Sequence, residues 1–504
     1  MTILFMKKKY QLERFFVTWL MILFMILTDA FTAFAQVKQA TVLVNGISCD
    51  LEQGILKVEF VTPDVVRVQY TGENTFMGNG TDVCLSRTVD NPVRWVYTPN
   101  PDCYLLKSDS LIVRVDLSTA SITYLDKEGR LLLQEDQNIP RISEKRVTKQ
   151  VIYDEHSKHI EKTADGDKEI KNVLRYDIIG HTWKYRINFK WQPLEALYGW
   201  GAHMEDYMNL RGKELYLCQH NLKAMVPVLN STAGYGLLFD AGCAMMFKDN
   251  SEGSFVELEA AKQIDYYFMK GKTMDAVVAN YRLLTGNSPM MPLYLFGYIQ
   301  SKERYVSSDD LINTLKEYRQ RQIPIDMIVQ DWNYWPEGQW GNMSMNPKFY
   351  PDKRKLADEI HSLHAKLMIS IWPNAMNCPQ HEEFKRKGWL LSGTSVYDAF
   401  NPLARKLYWN YANNEFFGNG FDAWWCDASE PLDADWTFMK DGYGADNHRQ
   451  RWELNTNLLN SVLGAERSQL YSLYHAKGIY ENQRSTNEDK RVVNLTRSSY
   501  AGQQ

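Results

Sequence analysis

Four short stretches of the chain set acidic, indole and guanidinium groups where they could act together. FDAWWCDASEPLDADW (421–436) crowds five carboxylates, Asp422, Asp427, Glu430, Asp433 and Asp435, among three tryptophans with no basic residue. VQDW carries Asp331 and Trp332, SIWP carries Trp372, and LTRS carries Arg497. One carboxylate can attack the anomeric carbon of a sugar while a second carboxyl protonates the leaving oxygen. Aromatic faces suit the apolar C–H side of the same ring. A solvated loop could carry the acids alone, but it would not need AWW directly before Asp427.

Strand alternation in AWWCD puts Trp425 and Asp427 on one side, Trp424 and Cys426 on the other. Asp427 and Trp425 are therefore assigned to a site, and Trp424 and Cys426 to packing against helices. Cys426 reads as a small buried hydrophobe rather than a nucleophile. Asp433 and Asp435 read as solvated loop acids. Taken singly, each of the other residues has an ordinary explanation. An aspartate after a strand usually caps a helix or forms a turn, Trp372 would pack at a rim, and Arg497 would pair on the surface. Their recurrence at the ends of successive apolar runs carries the argument.

Those runs must be strands. From Tyr294 onward the pattern is strand, helix, strand. LYLFGYIQ (293–300) is a near-continuous apolar run, as in a strand buried on both faces. Ser307 caps a helix with Asp310 at its third position, and Leu311, Leu315 and Tyr318 mark its buried stripe. PIDMIVQDW (324–332) and KLMISIWP (366–373) are further strands, separated by a helix at 352–364. Asn401 with Pro402 opens another helix, closed near Gly418. DAWWCD is the fourth strand and VVNLTRS (492–498) the fifth. Repeated βα units without a dinucleotide fingerprint favour a (β/α)₈ barrel, whose C-terminal strand ends share one mouth.

Residues 36–285 follow a different grammar. VRVQY (66–70) and LIVRVDL (111–117) alternate with period two. SITYLDKEGRLLL (121–133) reads as a hairpin with Gly129 at a positive-φ position. Residues 144–171 are charged and poor in hydrophobes, and read as a long loop. YRINFKW (185–191) and GYGLLFD (234–240) resume the strands of an antiparallel β-sandwich. The division is 1–35 as a leader, 36–285 as the sandwich, and 286–504 as the barrel.

The totals bound the function. The 504 residues carry 57 basic and 61 acidic side chains, a net charge of −4 that argues against a nucleic-acid partner. Fifteen tryptophans and 29 tyrosines help make the chain 13% aromatic, a composition suited to flat ligands such as sugar rings. Seven scattered cysteines form no disulfide framework or zinc spacing, so neither metal nor cofactor is expected. His361 and His364, three apart on the same helix, read as exposed helix-face residues. KKK (7–9) and Arg14 precede the apolar run FFVTWLMILFMIL (15–27) and the small-residue site AFA (33–35), the pattern of an export signal. The run is short for a membrane span. A bacterial periplasm or cell surface follows, with no stable membrane insertion after cleavage.

Together these residues resemble glycoside hydrolase family 31. The resemblance runs from about Tyr198 to the end, through YGWGAHMEDYMNLRGK, LTGNSPMMPLYLFGYIQSKERY, IPIDMIVQDWNYW, MNPKFYPD, FDAWWCDASEP and VVNLTRSSYAGQQ, in the family's order. It implies a galactose-mutarotase-like sandwich, a (β/α)₈ barrel and metal-independent, retaining hydrolysis of terminal α-linked sugars. It further implies Asp427 as nucleophile, Glu430 as the acid behind it, and Trp425 as the aromatic before it. Asp331 and Arg497 would hold the sugar at the cleaved end. Asp206, in GAHMED, matches more loosely.

The family's acid/base aspartate lies in a W-[ST]-G-D-like motif beyond LTRSxYAGQQ, and no such motif occurs in these residues. The 504 residues are accordingly expected to be a C-terminally truncated chain with about five βα units, inactive or insoluble as written. Proton donation alone is worth about 10²- to 10⁴-fold in rate, and an open barrel exposes unpaired edges. The leading expectation is an α-xylosidase acting on xyloglucan-type side chains, because DASEP and VQDWNYW resemble secreted xylosidases. Bulky Trp332 could also fill the space of a C6 hydroxymethyl. An α-glucosidase and a non-catalytic carbohydrate-binding fragment are the alternatives.

Overall fold

The computed structural model describes residues 36–77, 82–85, 92–163, 166–432 and 448–504. The leader-like segment 1–35 and the loop acids Asp433 and Asp435 lie outside them. Among the described residues, no helix is long and apolar enough to cross a membrane.

Two antiparallel sheets of eight and ten strands form the N-terminal half. Their facing side chains build one core, in which the rings of Tyr124 and Phe268 stack at 4.0 Å across the two sheets. The hairpin Ile122–Asp126/Leu131–Glu135 pairs as its alternation requires, with Gly129 at φ 86° in the turn. Strand Val65–Thr71 departs from a half-buried pattern, because its polar face is covered too. Arg67 is buried there, and its Nε lies 2.9 Å from Asp265, which also accepts from Gln69. Charges this deep are tolerated only when paired and hydrogen-bonded.

Residues 144–171 are not a loop. Strand Arg141–Tyr153 runs antiparallel to Val173–Lys190, and a smaller hairpin, His159–Thr163/Gly166–Ile170, extends from their ends. Much of this ribbon is exposed on both faces, so its residues carry no apolar alternation. Ladder hydrogen bonds hold it, and the signal that marks half-buried strands was absent.

The second half contains a five-stranded parallel sheet: Ile299–Gln300, Met327–Gln330, Lys366–Ile371, Ala423–Cys426 and Asn494–Thr496, adjacent in that order. The first is shorter than its apolar run promised. Pro292 caps a 3-10 turn over Leu293–Phe296, leaving Leu293 and Phe296 exposed, and only Ile299 and Gln300 pair. A short continuous apolar run does not by itself distinguish strand from helix. Helices Ser308–Gln320, Lys353–Ser362 and Pro402–Glu415 cover the outside. Ser307, Asp352 and Asn401 accept from their first-turn amides, and Leu311, Leu315, Leu356 and Ile360 face inward.

The halves share a core. Leu470 and Leu473, beside and within helix Tyr471–Thr486, pack with Tyr500 and Ala501 into the sandwich cluster. Gln219, a fully buried sandwich residue, donates to Ser499 O at 2.7 Å and accepts from Ser498 Oγ at 2.8 Å. The segment following Arg497 is thus pinned from the other domain.

Candidate active site

The fourth strand positions Asp427. Trp424, pointing outward, is buried against Trp409 and Phe416 and donates its indole N–H to Gln483 at 2.7 Å. Cys426, also outward, is fully buried among the helices, and burial pushes its thiol well above the usual range. Trp425 points inward, with Met327, Val329, Met368 and Val493. This outward anchoring leaves Asp427 facing inward above the layer that contains Trp425. Its amide donates to Ile371 O at 3.1 Å, extending the ladder with the third strand to the acid itself.

Backbone strain follows immediately. Ala428 adopts φ 50°, a conformation that disfavours a β-carbon. Its amide donates to Asp427 Oδ1 at 2.8 Å. Asp331, at the end of the second strand, is held similarly by the Trp332 amide at 2.8 Å, with Asn333 at φ 58° just beyond. Such strain persists where surrounding contacts over-determine it.

Arg497 arrives from the fifth strand and bridges two acids. Nη1 lies 3.0 Å from Asp427 Oδ1, and Nη2 lies 2.6 Å from Glu430 Oε1. Glu430 is almost completely buried, while Asp427 remains partly accessible, with 16% of its side chain exposed. One guanidinium therefore compensates an inaccessible carboxylate and orients an accessible one. Burial pushes the Asp331 carboxyl up to about 6, and the negative charges of Asp427 and Glu303 act in the same direction. Asp331, Asp427, Glu430 and Arg497 thus belong to one electrostatic cluster.

A wall of indoles borders the acids. Trp332 lies 5.7 Å from Trp340, which lies 5.2 Å from Trp372, and Arg304 stands over the Trp332 ring at 5.7 Å. Trp340, Trp335 and Arg304 were not anticipated. The available signal was three tryptophans within the nine residues WNYWPEGQW. The inter-domain contact through Gln219 was also missed, because a glutamine outside any motif carries no sequence signal.

Asp206 makes no hydrogen bond or ion pair with the cluster. It is exposed at φ 56° and has no hydrogen bond or ion pair among the described residues. Its neighbour Glu205 instead pairs with buried Lys223. His361 is half-buried rather than freely exposed, its Nε2 lying 2.7 Å from Asp422 Oδ2. Among the described residues, no group of three or more His, Cys, Asp or Glu is placed to hold a metal ion.

A sandwich joined to a parallel β/α sheet, with clustered acids and an indole wall at its strand ends, defines a carbohydrate-active class of protein. The chain belongs to glycoside hydrolase family 31. Residues 288–504 match its TIM-barrel domain, and 55–247 match its N-terminal galactose mutarotase-like domain. An alpha-xylosidase of Saccharolobus solfataricus is 30% identical over 460 residues, covering 89% of this chain and 56% of that protein. Alpha-xylosidase A of Aspergillus niger is 24% identical, covering 64% of this chain and 47% of that one. The chain thus spans about half the length of these relatives. In fold it is similar to a family 31 alpha-xylosidase of Xanthomonas citri, with a TM-score of 0.72, 21% identity and coverage of 92% and 64%. It is also similar to a family 31 dextranase of Flavobacterium johnsoniae, with a TM-score of 0.76, 19% identity and coverage of 94% and 55%.

Proposed function

We propose that this chain carries the nucleophile of a retaining α-xylosidase. The observation carrying the proposal is Asp427: a partly accessible carboxylate, fixed by its backbone and by Arg497, at the end of a parallel strand. In the proposed step, Asp427 Oδ attacks the sugar's C1 as the C1–O bond breaks and the leaving oxygen takes a proton from a second carboxyl. Water then releases the sugar from the aspartyl ester. Asp331 and Arg497 bind the sugar's hydroxyls, with Arg497 exchanging part of its contact with Asp427 for substrate oxygens. Trp332, Trp340 and Trp372 supply apolar surface. Bulky Trp332 beside Asp331 and the alpha-xylosidase relatives support a pentoside, which lacks the C6 hydroxymethyl.

In the whole protein, kcat/KM on 4-nitrophenyl α-xyloside should exceed that on the α-glucoside, and the reverse order would favour the α-glucosidase reading. A 5-fluoro-xylosyl fluoride should label Asp427, as peptide mass spectrometry would report. Asp427→Asn should abolish labelling and reduce turnover by about 10³-fold or more. Labelling at another carboxylate would refute the assignment. Residues 1–35 support export, which N-terminal sequencing of the mature protein would test, with Gln36 as its expected first residue.

A further inference from the structure

We propose that the ribbon Arg141–Tyr153/Val173–Lys190 forms the far wall of the substrate cleft and binds sugar units beyond the one attacked at Asp427. The inference deepens the glycosidase reading and rests on it. A cavity of about 770 Å³ lies between the two domains. Trp372, Asn374 and Arg497 line its barrel side, and Val151, Tyr153 and Tyr176 line the ribbon side. Its volume falls within the usual range for ligand sites, roughly 300–1,000 Å³. It begins at the arginine paired with Asp427 and continues onto a different domain. One sugar ring at Asp427 would leave the ribbon side unused.

The ribbon is shaped to present these side chains. Val151 stands opposite Tyr176, but the pairing slips between Ile152 and Tyr153, placing Tyr153 opposite Val173. In a regular strand, Val173 and Tyr176, three residues apart, would face opposite ways. With the slip, both line the same cavity, the re-aiming that a bulge provides. Tyr153 also docks the ribbon on the barrel. Gly393, at φ 72°, lies beneath its ring, with two ring carbons 3.1 Å from where a β-carbon would stand. Tyr176 remains 60% exposed.

The chemistry of the two walls suits an oligosaccharide, with aromatic faces and polar tips beside Arg497 and Lys171. Tyrosine offers an apolar face and a polar tip, matching a sugar's C–H surface and hydroxyl edge. On the barrel side, Trp372 Nε1 and Asn374 Oδ1 are buried without a hydrogen-bond partner among the described residues. Buried polar atoms in this condition are uncommon in folded proteins, and here they provide one donor and one acceptor beside the cavity. The proposed ligand is therefore the aglycone portion of an oligosaccharide of at least two further sugar units.

The test uses Tyr176→Ala in the whole protein, because that exposed ring can be truncated without opening the core. Tyr153→Ala serves as a second variant that also loosens the ribbon's docking. With an α-xylosyl-capped cello-oligosaccharide, Tyr176→Ala should lower kcat/KM by about two- to tenfold. With α-xylosyl fluoride, which carries no aglycone ring, it should leave kcat/KM unchanged. Equal losses on both substrates, or no loss on either, would overturn the subsite while leaving the glycosidase reading intact. If the wild-type protein turns over neither substrate, the activity proposal fails, and calorimetric titration with the same oligosaccharide decides the site. Binding weakened by Tyr176→Ala supports it; no binding by wild type, or equal binding by both, overturns it.

Discussion

At the scale of single residues, the site is governed by two acids sharing one guanidinium, with Asp331 as a third acid coupled to Asp427. Asp331 has its carboxyl pushed up to about 6, first by burial and then by neighbouring negative charge, while an aspartate in an unfolded chain titrates near 3.9. The folded state therefore holds the extra proton between about pH 4 and 6, and stability falls as pH rises through that window. Asp331→Asn should remove this dependence. Its Tm relative to wild type should improve between pH 4 and 6 and then level off, as thermal melts at pH 3.5 to 8 would show. Asp427→Asn should also move the Asp331 titration downward, though not to the unfolded value, because burial remains. Arg497 permits a second test. Arg497→Met removes the cation paired with buried Glu430 and should cost about 3–5 kcal/mol, measured by denaturant unfolding. Adding Glu430→Gln should recover most of that stability without restoring turnover. Failure of the double variant to recover would mean that Arg497 stabilises by packing rather than by charge.

At the scale of elements, outward anchors and close loop contacts set where the strand ends point. The alternation of AWWCD was legible, because Trp424 and Cys426 are apolar side chains whose burial among helices leaves Asp427 facing inward. The arrangement of the indole wall was not. Trp340 meets Trp372 because Gly341, at φ 65°, lets its loop approach the third-strand loop closely. A β-carbon at Gly341 would stand 2.0 Å from Asn374 O. Gly341→Ala should therefore destabilise the protein by about 1–3 kcal/mol. It should also raise KM by displacing Trp340, as melts and steady-state kinetics on the aryl glycoside would report. The charged ribbon carries no strand signal for a related reason: its ladder is satisfied by backbone groups, which every sequence possesses.

At the scale of the whole molecule, the sandwich helps fix the barrel's chemistry. Gln219 ties the segment after Arg497 to the first domain, accepting from Ser498 Oγ and donating to Ser499 O, while Asn455 donates to its carbonyl at 2.9 Å. Gln219→Leu would leave buried partners unsatisfied and should cost about 1–3 kcal/mol. If this contact holds Arg497 in register, KM should rise as well. A loss of stability with unchanged KM would limit Gln219 to a structural role.

The amino-acid order by itself determined the two fold types, the parallel strand sequence and the placement of Asp331, Asp427 and Arg497 just past strand ends. Those features rest on local periodicity, caps and strand alternation within contiguous segments. Only the tertiary structure decided that Arg497 bridges Asp427 and Glu430, that Asp206 makes no ion pair with them, and that a ribbon from the first domain lines a cavity beside Arg497. These depend on distances between residues far apart in the chain. They are set by packing and desolvation, for which no local pattern exists.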